Sequence, residues 1–341
     1  MSELRVSNDV ISDTSELQRR LEDDGYLFFR KLLPADALLE LRRQMLSVIQ
    51  QGGWLMSGTD LMQGIAEPAA RTTEGDPEYT AVYHQVYKLQ LFHEIAHNRQ
   101  ILDVLERVRE CSIMPLPQKV ARMWFPQFSE HTTPTHQDFV HFQGSFDNLT
   151  CWSPVGDCPR ELGGLAVLRG SHLVNRILDH HFSLGAGSLN VDPLQYPDLG
   201  TEWHTTDYET GDTLMFPALT IHKALPNLTN DRLRISLDNR YQRVKDPIAD
   251  HMLDPHLSAM SPLTWEDIYR HWTKTDLQYY WKQFDNPVLP KITKYVDIAF
   301  DEAVAQSRAG DEHARLHLRR IAAREPHTDR GKTALAILSD S

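Results

Sequence analysis

Between Val120 and Val244 the chain consists of short runs of β-branched and aromatic residues broken by Gly, Pro, Asn and Asp, and no other feature limits its fold so strongly. Such runs, separated by turn residues, are the pattern of an antiparallel sandwich or barrel. The flanks read differently. Ser15 to Gln51 has apolar residues at helical spacing, interrupted by Asp24-Gly25-Tyr26-Leu27-Phe28-Phe29, a short strand entered through a glycine turn. The second helix starts at Pro34-Ala35-Asp36, with Leu38, Leu39, Leu41, Met45 and Leu46 as its buried stripe. Gly52 to Thr80 reads as one long loop, a length that is often functional in a compact domain, and Leu91 to Arg109 returns to helical spacing. Beyond Pro262, Thr264 to Tyr269 opens a helical region, and the last forty or so residues, charged and Ala-rich, read as helices with a frayed end. The expected fold is a mainly β core with flanking helices, one domain over 1–341: support at 1–119, the core at 120–245 and a helical extension at 246–341.

The formal net charge of −12 comes from acidic and basic residues mixed along the chain, so no surface for nucleic acid or an anionic membrane is expected. No basic-then-apolar N-terminal signal is present, and no apolar run reaches the roughly 18 residues a membrane span needs. Cys111, Cys151 and Cys158 are too few and too irregularly spaced for a disulfide framework or a zinc cluster, which suits a reducing, cytoplasmic setting. The sequons at Asn148 and Asn227 are then silent. A small molecule is the expected partner, and the amphipathic C-terminal region either docks on the sheet or pairs two subunits as a homodimer.

Thr135-His136-Gln137-Asp138-Phe139 lies in the strand-like segment, and Leu214 to His222 follows much later. On a strand, residues i and i+2 share a face, so His136 and Asp138 would sit side by side, with His222 arriving from another strand. Two imidazoles and one carboxylate on one octahedral face leave positions for Fe(II) to bind a chelating cosubstrate and O₂. A His-x-Asp triplet alone is weak: with 17 histidines, about one arises by chance. Two occur. His327-Thr328-Asp329 lies in the polar tail without partners and is the chance event, whereas His136 alone would equally suit a hydrogen-bonded sheet histidine.

Context comes from the strand pair that follows. After the turn Pro226 to Asp231, Arg232, Arg234 and Ser236 share one face while Leu233, Ile235 and Leu237 share the other. An outward polar face is the ordinary explanation. Placement just after the third candidate ligand favours a guanidinium forked onto the distal carboxylate of a dicarboxylate cosubstrate, helped by the serine hydroxyl.

These residues, with Asp24-Gly25-Tyr26, the stretch Glu161-Leu162-Gly163-Gly164-Leu165 leading to Gly170-Ser171-His172, and Gly211-Asp212, resemble the phytanoyl-CoA dioxygenase-like Fe(II)/2-oxoglutarate oxygenases over most of residues 15 to 245. The resemblance implies a double-stranded β-helix, a jelly-roll with its pocket between two sheets. It implies His136, Asp138 and His222 as iron ligands and Arg234, partnered by Ser236, on the distal carboxylate. Arg232 competes, because the turn before it is about one residue off the spacing expected from relatives. Trp152 matches a wall of the cosubstrate pocket and Lys88 a further cosubstrate contact, although a core aromatic and a surface lysine are the ordinary readings. Where some relatives have a cosubstrate-binding serine, this chain has Ala224. Asp138 stands where halogenating relatives carry a small residue, which disfavours halogenation.

The implied reaction oxidises an unactivated C–H of a small molecule, secondary metabolites included, with succinate and CO₂ as coproducts; hydroxylation is the expected outcome, and desaturation, epoxidation or cyclisation are diversions of it. Of the other histidines, parity points His141 away from the metal, His131 reads as a solvated loop residue, and Gln137 and Gln143 share the opposite face. The long loop, Asp179–Leu199 and the C-terminal helices are candidates to shape the substrate pocket. The rivals are a cupin-like metal enzyme without 2-oxoglutarate and a non-catalytic jelly-roll binding module.

Overall fold

The computed structural model describes residues 1–259 and 261–339. The chain opens with β1 (Ser2–Glu3), α1 (Thr14–Asp24), β2 (Leu27–Phe29) and α2 (Ala35–Gln51). Asp13 caps α1 by accepting the Glu16 N–H, Leu17 and Leu21 bury one turn apart, and Gly25 ends the helix at φ 74°. A Cβ at Gly25 would also meet the His172 ring at 2.5 Å, so both backbone angle and space call for glycine. α2 buries Leu38, Leu41, Met45, Leu46 and Ile49. Leu39, expected in that stripe, is instead exposed, because one residue advances the helix by a hundred degrees and carries it off the buried face.

α3 (Pro77–Tyr87), α4 (Gln90–Ile95) and α5 (Arg99–Arg109) follow. The long loop therefore ends earlier than expected, where Pro77 occupies the first turn of α3 and Tyr79, Tyr83 and Tyr87 bury at successive turns. The helical stretch expected over Leu91 to Arg109 is two helices, divided where the Asn98 side chain caps α5 through the Gln100 N–H.

The core comprises β3 (Ile113–Pro115), β4 (Val120–Trp124), β5 (His136–Gln137), α6 (Phe139–Phe142), β6 (Leu149–Pro154), β7 (Leu165–Leu168), β8 (His181–Phe182), β9 (Leu189–Asn190), β10 (Trp203–Thr205), β11 (Thr213–Pro217), β12 (Ile221–Ala224) and β13 (Arg234–Arg243). One sheet runs β1-β10-β7-β12-β5, the other β2-β11-β6-β13-β3 with β4 also on β13. The expected mainly β core with flanking helices is thus observed, although β1, β2 and β3 are recruited from the N-terminal part of the chain. Every residue of β13 except Arg243 is buried. Alternation sends Ile235, Leu237 and Tyr241 into the main apolar core, so the opposite face, Arg234, Ser236, Asp238 and Arg240, is polar and yet buried.

After β14 (Ile248–Ala249), Thr264 and Asp267 form a capping box that starts α7 (Trp265–Tyr269). β15 (Val288–Leu289), α8 (Lys294–Arg308), α9 (Glu312–Arg324) and α10 (Asp329–Ser339) complete the chain. Phe300, Ala303, Ala314, Leu318 and Ile321 of α8 and α9 close around Phe182 of β8, so these helices dock on the core through the β8–β9 hairpin. Among the described residues no helix is long and apolar enough to cross a membrane.

Candidate active site

β12 lies beside β5 with His222 directly opposite His136, which places the two imidazoles 4.2 Å apart between ring centres. His136 Nδ1 is bonded to the Pro134 carbonyl at 2.8 Å and His222 Nδ1 to the Thr220 carbonyl at 3.0 Å. Each Nε2 is therefore left to face Asp138, whose Oδ1 lies 3.3 Å from His136 and 3.6 Å from His222. All three side chains are buried, and their ligating atoms lie within 4.8 Å of one another. Burial, then His136, holds the His222 imidazole down to about 3. Burial would raise the Asp138 carboxyl, but Arg240, His222 and His136 outweigh it and keep it well below the usual carboxylate range. A neutral imidazole beside an ionised carboxylate is the protonation state a divalent cation requires.

Asp138 reaches this position differently from the regular strand expected. β5 ends at Gln137, and Asp138, at φ −60° and ψ −29°, opens the helical turn α6; its carbonyl accepts from the His141 and Phe142 N–H groups. Asp138 stays on the histidines' side, and parity fails beyond it. His141, expected to point away, swings round to 5.3 Å from the His136 ring and lines the cavity. Gln143 ends the turn at φ 53° and bonds near Ile292, while Gln137 reaches Leu178, Arg176 and Leu219, so the two share no face. His131, expected in solvent, is buried against the Phe128 ring and Arg320.

A cavity of about 180 Å³ lies beside the triad, bounded by β5, β7 and β12 of one sheet and β4, β6 and β13 of the other. Arg234 lines it and is 1% exposed. Its Nη1 donates to Ser236 Oγ at 2.5 Å, whereas its Nε and Nη2 have no hydrogen-bond partner among the described residues. A buried guanidinium with vacant donors is costly unless an acceptor arrives. A carboxylate supplies the matching pair of acceptors. Arg232 lies outside β13 at the surface, 3.1 Å from Glu161, and does not line the cavity. Trp152 forms part of the wall, its ring edge-on to Tyr208 at 4.7 Å. Lys88 does not reach the cavity: it ends α3, where its carbonyl accepts the Trp272 indole N–H.

Sequence reasoning missed Arg240. Its Nη2 lies 3.2 Å from both Asp138 oxygens and its Nε 3.3 Å from Oδ2, and Thr150 Oγ donates to the same carboxylate. Continuing the β13 alternation past Ser236 would have put Arg240 on the cavity face. Arg122 of β4 pairs with Glu74 of the long loop and with Asp238, tying that loop over the site; nothing local in the sequence signals this contact.

A family model for phytanoyl-CoA dioxygenase (PhyH) matches residues 21–236, more than half of the chain. The 1-deoxypentalenic acid 11-beta-hydroxylase of Streptomyces arenae is 26% identical over 243 residues, covering 68% of this chain and 82% of that protein. The counterpart from Streptomyces exfoliatus is 24% identical over 250 residues, with the same coverage. Among solved structures, the non-haem monooxygenase ThoJ superposes with a TM-score of 0.49 at 15% identity, covering 95% of this chain and 100% of that one. The α-ketoglutarate-dependent carbocyclase SnoK from nogalamycin biosynthesis superposes at 0.48 and 17% identity, covering 69% and 85%. The chain belongs to the phytanoyl-CoA dioxygenase (PhyH) family and is a non-haem iron enzyme that uses 2-oxoglutarate and O₂.

Proposed function

We propose that His136, Asp138 and His222 hold the iron, that Arg234 and Ser236 hold the distal carboxylate of 2-oxoglutarate with Trp152 as a wall, and that the enzyme hydroxylates an unactivated C–H of a small, secondary-metabolite-like substrate. The observation that carries this reading is the buried Arg234, with two vacant N–H donors among the described residues, in the cavity that His136 and His222 line. Two facing sheets, joined by an apolar cluster that includes Trp152, Leu214 and Phe216 of one and Leu165, Val167 and Ala224 of the other, support the finer reading of the core as a double-stranded β-helix. When bound, iron would activate O₂ as the four-electron oxidant, two electrons coming from 2-oxoglutarate, which leaves as succinate and CO₂, and two from an aliphatic C–H of the substrate.

The chain's own residues orient and shield. The Pro134 and Thr220 carbonyls set which imidazole nitrogen faces the site, and Arg240 with Thr150 fixes the Asp138 carboxylate. Phe142, Trp152 and Leu165 line the cavity with apolar surface and limit water. The names of the two Streptomyces relatives favour hydroxylation over the diversions, and the carboxylate at Asp138 leaves no vacancy of the halogenase kind.

The test is an anaerobic titration of Fe(II) and 2-oxoglutarate into the protein, followed by the visible metal-to-ligand charge-transfer band. A band is expected in the wild type. Arg234→Ala should weaken 2-oxoglutarate binding on the order of 100-fold while iron is retained, since truncating one side of a buried charged contact costs about 2–5 kcal/mol. No band in folded wild type would indicate a binding module, and unchanged turnover in Arg234→Ala an enzyme that does not use this cosubstrate site.

A further inference from the structure

A second cavity, of about 200 Å³, shares Glu74, His141, Ala186 and Gly187 with the iron chamber, so the two adjoin at His141. Its far wall is made by the 184–189 loop, α8, α9 and the start of α10. One part of the lining is apolar, including Val140, Leu184, Leu189, Val296 and Phe300. The rest is cationic: Lys291, Arg320, Arg324 and Arg330.

Closer than 3.5 Å, these four cations have two carboxylates between them among the described residues. Glu74 is the one acidic residue of the described lining, and Arg122 engages it. Arg320 has Asp76 at 2.8 Å. Arg324 and Arg330 share the single carboxylate of Glu325, at 2.5 and 3.3 Å, with Asp297 only at 4.0 Å from Arg330. Lys291, exposed at the edge of the cavity, has its backbone N–H bonded to Asp250; burial, Arg330 and Arg324 hold its ammonium's pKa down, partly offset by Asp250 and Glu325. His317, between Ser188 and α9's arginines, is held down to about 3 chiefly by burial, with Arg324 and Arg320 adding to it. This cationic lining stands in a chain of formal net charge −12, whose average field repels anions.

We infer that this cavity is the substrate chamber and that it selects an apolar small molecule carrying one anionic group, carboxylate or phosphate, seated among Lys291, Arg324 and Arg330, with the carbon skeleton lying along Val140, Leu189 and Phe300 toward His141. The inference rests on the proposed iron and 2-oxoglutarate site. It adds the division of labour: the anion is anchored at the helical wall, so the carbon presented past His141 is remote from the charged group. Apolar burial gives affinity without orientation, whereas a charge anchored at one end sets which carbon reaches the iron chamber.

The experiment uses three fluorescent probes of one skeleton: 2-naphthoate, its methyl ester and 2-naphthyl phosphate. Each is titrated into anaerobic protein loaded with Fe(II) and 2-oxoglutarate. One or both anions should bind at least about ten-fold tighter than the ester, a difference of about 1.4 kcal/mol, and the tighter of the two identifies the group preferred. Lys291→Glu should abolish that preference while the ester's affinity changes less than about two-fold. Arg324→Gln serves as the second variant, with circular dichroism as the check on folding. Equal binding of acid and ester, no binding of any probe, or equal loss for both in the variants overturns the inference. The charge-transfer band, read in the same samples, reports separately on the cofactor site. Its absence with anion preference intact would fault the reaction assigned, not the chamber.

Discussion

The two adjoining cavities are built from different material. The chamber beside the triad is framed by paired strands: His136 and His222 face each other across β5 and β12, and Arg234 and Arg240 project from β13. The second chamber is walled by a loop and by helices joined to the core through the small cluster around Phe182. Ladder hydrogen bonds hold side chains to fractions of an ångström, which ligand geometry demands. Loops and docked helices tolerate exchange, which suits the part that discriminates among substrates. On the proposed reading, chemistry and selection are carried by separable layers, meeting at His141.

Three perturbations break or sharpen this contrast. The largest effect is expected from His136→Ala and Asp138→Ala, which should abolish succinate release. His136→Ala should remain folded with little change in Tm. Asp138→Ala should lose about 3 kcal/mol of stability, because it leaves the Arg240 guanidinium buried without its carboxylate. Thermal unfolding beside the turnover assay checks both, and global unfolding of His136→Ala would mean that the triad is structural. Next, Arg240→Met should weaken Fe(II) binding about 10- to 100-fold, as loss of a ligand's outer partner does. A chelator competition reads this directly, and unchanged iron affinity would show that Thr150 alone orients Asp138. The smallest effect is expected at the helical wall. Asp311 caps α9 by accepting the Ala314 N–H at 2.7 Å, and Asp311→Ala should cost about 1 kcal/mol. Hydrogen exchange should report it in α8 to α10 while the charge-transfer band persists; equal deprotection in β12 and β13 would refute independent layers.

Legibility in the sequence followed the same division. The β texture, the opening helix-strand-helix and the His136/Asp138 spacing are local patterns of alternation, cap, turn and two-residue repeat; His222 and the choice of Arg234 over Arg232 came with the family resemblance, which local pattern alone left open. Departures came where tertiary contacts reset the backbone. The Phe139 N–H bonds to the Ala218 carbonyl of the neighbouring β-strand connection, so β5 ends in a helical turn and His141 rotates into the site. His131 lost its solvent to Phe128 and Arg320, a residue nearly two hundred positions away. Lys88, placed by resemblance, is directed elsewhere by the end of α3.

By itself, then, the sequence determined a mainly β core with helical flanks and the residue types for an iron site, because period and turn chemistry act over a few neighbours. Only the tertiary structure put Arg234 in the cavity and Arg232 beside Glu161 outside it, brought Arg240 onto Asp138 and assembled the cationic chamber from α8 to α10 and the 184–189 loop. These depend on burial and on charges meeting across long sequence separations, and neither property is encoded in any short stretch of chain.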